Sequence, residues 1–288
     1  MLKILVTGGN GQLGSEFKIL STSDLYEFLF VDIDNFDMGK PQAVQDFFKD
    51  KIFAAIINCA AYTAVDKAET ESTLAEAINH HAVATLAQIA KDKNISFIHV
   101  STDYVFDGKN CCPYTEVDFS NPVNVYGKTK LAGEKAILNI APRNTMIIRT
   151  SWLYSSFGNN FVKTMLTRGL ERDSLNVISD QIGTPTYARD LAQVIIDILP
   201  NLKNNTPQIY HYSNEGVASW YDFAKAIFEL SKINCTVMPI TTSQYPTPAK
   251  RPHCSLLNKV KIKSEFKISI PHWRDSLAEC LKLMGKVV

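Results

Sequence analysis

LKILVTGGNGQLG, residues 2–14, decides the fold. Leu2 to Thr7 is a short apolar run rich in β-formers that breaks at once into glycines, and Ser15-Glu-Phe-Lys-Ile-Leu20 follows with helical character. Strand, glycine turn and helix in that order open a dinucleotide-binding unit. Gly8, Gly11 and Gly14 fit a GxxGxxG pattern, while Gly9, Gly11 and Gly14 fit GxGxxG. Either way the missing side chains let backbone N–H groups approach a pyrophosphate at a helix N-terminus. Asp32 closes the next apolar run, Phe28-Leu-Phe-Val31, eighteen residues beyond Gly14. An acid at that point accepts both hydroxyls of an adenosine ribose; the plainer alternative is a turn residue at a strand end.

The alternation continues outward from this unit. Pro41 to Asp50 reads as a crossover helix starting at a proline, and Phe53 to Ala61 is a continuous apolar run suited to a parallel strand buried on both faces. The small Ala60 and Ala61 at its end leave room for a cofactor against the backbone. A long helical stretch is expected from about Asp66 to Lys91, then a strand at Ile95–Ser101. This order predicts an α/β fold with a Rossmann-type doubly wound parallel sheet over residues 1–151 and ligands beyond the carboxyl ends of its strands. Residues 152–288 read mainly as a smaller C-terminal α/β substrate-binding domain. In it we expect a strand at Ile209–Ser213, a capped helix from Ser219 and a terminal helix near Asp275–Met284, while a helix at about 187–199 packs back onto the sheet.

The chemistry gathers at strand ends. Tyr126 and Lys130 stand four residues apart in a helical stretch, so both side chains share one face. A free phenol titrates near ~10, and a cation beside it favours the phenolate, so such a pair can work as a general acid. Thr102 leaves the fourth strand with a hydroxyl able to hold a carbonyl oxygen; as a turn or cap residue it would do only structural work. Arg251, next to Lys250, offers a cation to a diphosphate or simply adds surface charge.

With 288 residues, 45% apolar and 20% charged, the composition is that of an ordinary globular protein, and a net charge of +1 gives no reason to expect nucleic acid or an anionic membrane as partner. The opening residues are too short and wrongly flanked for a signal peptide, and no apolar run approaches the roughly 18 residues of a span. The six cysteines lack metal-like spacing and read as reduced thiols of a cytoplasmic protein. The six histidines do not combine with acids at ligand spacing, so no metal is expected.

Six stretches carry a resemblance: GGNGQLG (8–14), AAYTAVDKAE (60–69), STDYVFDG (101–108), YGKTK (126–130), RTSWL (149–153) and DQIGTPT (180–186). Together they resemble the dTDP-4-dehydrorhamnose reductases, within the extended short-chain dehydrogenase/reductase superfamily. The resemblance implies reduction of the 4-keto group of dTDP-4-dehydro-6-deoxy-L-mannose with NADPH or NADH. It makes Tyr126 the proton donor, with Lys130 lowering its pKa and holding the nicotinamide ribose and Thr102 bonding the sugar oxygen. It lines the cofactor with Gln12, Leu13, Asp37, Met38, Ala60, Ala61 and Thr63, and the sugar pocket with Val65, Asp103 and Trp152. Some members bind magnesium at a dimer interface; Glu16 matches one of their acids, but Arg189 near the other argues against the site. A monomer or weak homodimer without metal is the expectation. Three rivals share the fold. A nucleotide-sugar dehydratase would carry Asp-Glu after the threonine, where this chain has Asp103-Tyr104. A non-catalytic subunit resembling the regulatory subunit of methionine adenosyltransferase would keep the cofactor and work through a partner. Another nucleotide-sugar reductase would differ in its sugar alone.

Overall fold

Ile4, Leu5 and Val6 are all fully buried, so successive side chains of the first strand are covered on opposite faces, as in a parallel sheet between helix layers. The computed structural model describes residues 1–22 and 25–286. Its first half runs through Leu2–Thr7 (β1), Gln12–Leu20 (α1), Tyr26–Val31 (β2), Pro41–Phe47 (α2), Ala55–Asn58 (β3), Val65–Ala68 (α3), Ser72–Glu76 (α4), a π-turn at Ala77–His81, Ala82–Lys93 (α5), Ser96–Thr102 (β4), Val125–Ile140 (α6) and Thr145–Thr150 (β5). The second half holds Leu153–Tyr154 (β6), Phe161–Glu171 (α7), Ser174–Ile178 (β7), Ile182–Gly183 (β8), Thr186–Tyr187 (β9), Ala188–Ile198 (α8), Gln208–His211 (β10), Ala218–Ser219 (β11), Trp220–Ser231 (α9), Thr236–Ile240 (β12), Val260–Phe266 (α10) and Trp273–Leu283 (α11).

The central sheet has the order β10-β5-β4-β3-β1-β2, with every pair parallel. This is the expected doubly wound Rossmann-type sheet. The strand order reverses between β1 and β3, where β2 lies to one side and β3, β4 and β5 to the other, and a crevice opens at the carboxyl ends of strands flanking such a switch point. Ile4, Val6, Ile57 and Ile148 face a layer made by Leu13 and Phe17 of α1 and Leu191 and Ile195 of α8. Leu5, Ile56 and Ile147 face Val83 and Leu86 of α5 and Ile137 of α6. Each such aliphatic side chain contributes roughly 1.5–3 kcal/mol on burial. In α8 the buried Leu191, Val194, Ile195 and Ile198 recur at helical spacing, so one stripe lies on the sheet layer.

Two elements differ from the sequence reading. The strand expected in the smaller unit is β10, the sixth strand of the central sheet, paired to β5 with Ile209 opposite Ile147. Tyr210 packs into one layer and Ile209 against the other, so this edge strand is drawn in by burial on both faces. The expected long helix at 66–91 is broken into α3, α4, the π-turn and α5. Asn79 is the cause: its buried amide accepts from Tyr62 N (2.8 Å) and donates to Tyr62 O and Thr129 Oγ1 (both 3.1 Å), which anchors the widened turn.

A second core joins α7, α9, α11 and the parallel β7–β12 pair through Val162, Leu166, Phe223, Ile227 and Leu277. Ser219 starts α9 with a capping box to Asp222, as its sequence predicted. Among the described residues no helix is long and apolar enough to cross a membrane.

Candidate active site

The β1–α1 turn forms one wall of the crevice. Gly8 has φ +67°, and a Cβ there would meet Ala60 N at 2.8 Å; a Cβ at Gly14 would run into the Gly8 carbonyl and Gly9. The turn thus brings backbone close to both β3 and α1, which only glycine allows. Gly11 begins α1 without a side-chain cap, so the first N–H groups of this helix are available to an anion. At the end of β2, Asp32 accepts from Asn10 N (2.7 Å) and Ile33 N (2.8 Å), which fixes its carboxylate beside the turn. Asp37 pairs with Lys40 at 3.1 Å, and that cation holds its carboxyl below the usual range.

The opposite wall rises from β4 and α6. Asn124 caps α6 by accepting from Gly127 N at 2.7 Å, and Gly127 lies where a Cβ would overlap Tyr104 O. This close approach sets Tyr126 in the cleft with Thr102, whose hydroxyl donates to Asp103 Oδ1 and accepts from Tyr104 N, both at 3.1 Å. Burial pushes the Tyr126 phenol up to about 12, with the polar Thr102 hydroxyl opposing, so it is protonated at neutral pH. Lys130 is 1% exposed. Its Nζ donates to Val100 O at 2.7 Å and lies 3.3 Å from His99 Nε2. Burial lowers Lys130 to about 8, with Glu134 and Cys59 opposing. The expected lowering of Tyr126 by Lys130 does not occur in this structure, because the ammonium is bound to the end of β4 and desolvation dominates the phenol.

A buried polar chain lies beneath. Thr7 Oγ1 donates to Asn58 Oδ1 (2.5 Å), Asn58 Nδ2 is 2.9 Å from His99 Nδ1, and His99 continues to Lys130. Desolvation, aided by Lys130, depresses His99 well below its ordinary value, so it is neutral. Asp103 is also buried, and burial raises it to about 6 against the neighbouring Ser255 and Thr102 hydroxyls.

These walls enclose a cleft of about 790 Å³, the range of sites that engulf a cofactor and a small substrate. Gly8, Gly11, Gln12, Leu13, Gly14, Asp32, Asp37, Met38, Ala60, Ala61, Thr63, Val65, Thr102, Asp103, Tyr126, Lys130 and Trp152 all line it. Arg251 is not among the lining residues. Its guanidinium makes two bonds to Asp66 (2.7 and 3.0 Å) and one to Ala249 O (2.8 Å), so the cation assigned to a diphosphate is neutralised by an acid from α3. Glu16 is fully buried and accepts from Arg189 Nε (2.8 Å) and Ser155 Oγ (2.6 Å). Sequence reasoning missed Trp220 and Asn160. Trp220 stacks on Trp152 with centroids 3.7 Å apart, and Asn160 Nδ2 donates to Gln12 Oε1 at 3.0 Å. An aromatic at the start of a capped helix was the available signal for Trp220. Trp152 has φ +46°, strain that a side chain tolerates only when its surroundings hold it. Gly183 supplies that support, since a Cβ there would press on the indole at 2.7 Å.

The family described as the RmlD substrate binding domain matches residues 2–285. The chain is 42% identical to a dTDP-4-dehydrorhamnose reductase of Aggregatibacter actinomycetemcomitans, over 96% of this chain and 97% of that one. A crystal structure of a dTDP-4-dehydrorhamnose reductase from Clostridium acetobutylicum superposes with a TM-score of 0.94 at 41% identity, covering 99% of this chain and 100% of the other. One from Bacillus anthracis in complex with NADP gives 0.92 at 34% identity, covering 98% and 99%.

Proposed function

The chain belongs to the dTDP-4-dehydrorhamnose reductase family, and on that premise we propose that it reduces the 4-keto group of dTDP-4-dehydro-6-deoxy-L-mannose to give dTDP-L-rhamnose, using NADPH or NADH. One observation carries the reading. Thr102, Tyr126 and Lys130 line the same cleft as the glycine turn and Asp32, so a proton donor and a dinucleotide cradle serve one volume. The cradle fits the cofactor: Gly8 and Gly14 leave no space for a Cβ, and the start of α1 offers uncapped N–H groups.

The nicotinamide, when bound, supplies the hydride. Tyr126 is the general acid: its phenol is protonated at neutral pH and donates to the oxygen at C4 of the sugar as negative charge develops there. Thr102, lining the same cleft, hydrogen-bonds that oxygen as its charge develops. Lys130, charged below about pH 8 and lining the cleft, fixes the end of β4 and holds the nicotinamide ribose. Asp32 takes the adenosine ribose, and Trp152 with Trp220 forms an aromatic wall for the sugar nucleotide. Residues 1–151 with α8 and β10 serve the cofactor, and the remainder of 152–288 mainly serves the substrate. We place the enzyme in the cytoplasm as a monomer or weak homodimer.

The test follows loss of NADPH absorbance, and separately NADH, with the keto-sugar generated in place by upstream enzymes. Multiple turnovers that fall at least about a hundredfold in Tyr126→Phe are expected. Cofactor binding without turnover overturns the reading in favour of a non-catalytic subunit; turnover by Tyr126→Phe near the normal rate overturns the role of the phenol.

A further inference from the structure

The π-turn at Ala77–His81 does more than interrupt a helix. Ile78 reaches the cleft and Asn79 is locked to Tyr62 and Thr129. Gly133 of α6 presses on the same turn, since a Cβ there would overlap Asn79 O. The two residues that follow, His80 half-buried and His81 exposed, are thereby held at the surface on rigid backbone. In an α-helix residues five apart diverge by about 140° around the axis, whereas the i→i+5 pattern of a π-turn brings residue 81 over residue 76. The result is a cluster that the periodicity of the sequence hides.

We propose that Glu76, His80 and His81 form a binding site for a borderline divalent cation of the zinc class. One ligand atom from each of the three lies within 4.8 Å of the others. Glu76 Oε1 is 2.5 Å from His80 Nδ1, and the imidazoles stack with centroids 4.6 Å apart and planes at 27°. Two imidazoles and a carboxylate suit zinc, nickel or copper, while magnesium and calcium prefer all-oxygen sets. A tetrahedral ion with bonds of about 2.0–2.1 Å places its donors about 3.3 Å apart, so the ion displaces the hydrogen bond between Glu76 and His80, parting those two atoms by a little under about 1 Å, while the exposed His81 turns inward. Three protein donors leave a fourth position for water or an outside ligand. The cluster is separate from the buried Glu16, whose carboxylate is held by Arg189 and Ser155.

Calorimetric titration of the full-length reduced protein with zinc chloride tests the proposal, paired with absorbance on titration with cobalt chloride. One zinc per chain is expected, weakened at least about tenfold in His81→Ala and in Glu76→Gln, together with visible cobalt bands that vanish in both variants. His81 is exposed, so its loss leaves the fold intact, which far-ultraviolet circular dichroism verifies. A Cys111→Ser/Cys112→Ser variant keeps full affinity. Absence of zinc binding, equal affinity in His81→Ala, or loss of binding only in the cysteine variant each overturns the site.

Discussion

Lys130 is the residue at which catalysis and stability oppose each other. Its folded-state value near 8 lies below the ordinary 10.5, because burial disfavours the ammonium. Holding that charge therefore costs stability at every pH below about 8, and the cost fades as pH rises from 8 toward the unfolded value. If the charge is needed for proton transfer, kcat/KM of the free enzyme holds at neutral pH and falls with an apparent pKa near 8. A profile flat to pH 10 would separate the ammonium from catalysis. Lys130→Met is expected to lose activity about a hundredfold or more while unfolding in urea at pH 7 no more easily than the parent; easier unfolding would show the amine to be a net stabiliser. Asp32 makes a second residue-scale prediction. Its carboxylate sits beside the glycine turn and repels a 2′-phosphate but binds free hydroxyls, so Asp32→Ala should weaken NADH more than NADPH in fluorescence titrations. Equal weakening would make it a turn residue.

The element that carries the catalytic pair is α6, and three devices fix its position: the Asn124 cap, the Gly127 contact with Tyr104 O, and a buried pair between Glu134 and Arg149 of β5 at 2.7 Å, joined by Ser101. Removing one partner leaves the other charged and dry, so Arg149→Leu should cost about 3–5 kcal/mol in urea unfolding. Glu134→Leu combined with Arg149→Leu should recover a good part of it; a double variant as unstable as the single would assign the loss to packing of Arg149 over Phe106 instead. The sequence made some elements legible and others not, for physical reasons. Runs such as Ile4–Val6 and Ala55–Ile57 are apolar without interruption because both faces are covered, and Tyr126 with Lys130 declares a helix face by spacing alone. Four-residue β10 is too short to reveal which sheet it joins, and the π-turn depends on Asn79 meeting Thr129 fifty positions away. Arg251 was read as a free cation because its partner Asp66 lies 185 residues earlier. Local pattern fixes an element's type; long-range partners fix whether a side chain is available to a ligand.

Across the whole molecule α1 and α8 pack side by side in one layer on the sheet, and Glu16 of α1 ties that layer to the loop after β6, where the second half begins. This carboxylate is fully buried, with Arg189 at 2.8 Å on one oxygen and Ser155 at 2.6 Å on the other. A magnesium ion needs carboxylate oxygens with open lone pairs and a partly hydrated approach. Here both oxygens are taken and the approach is blocked by a guanidinium whose own charge repels the ion. Millimolar magnesium is therefore expected to change neither the turnover rate nor the sedimentation coefficient, and removing it with chelator should have no effect on either. Arg189→Ala reverses the electrostatics: it leaves Glu16 buried with only a hydroxyl, so unfolding in urea should come earlier by about 3 kcal/mol or more. Magnesium should then restore part of that loss by taking the vacated position. Magnesium-driven doubling of mass in the unmodified protein would instead mean that Arg189 swings away and the acid serves an interface between copies.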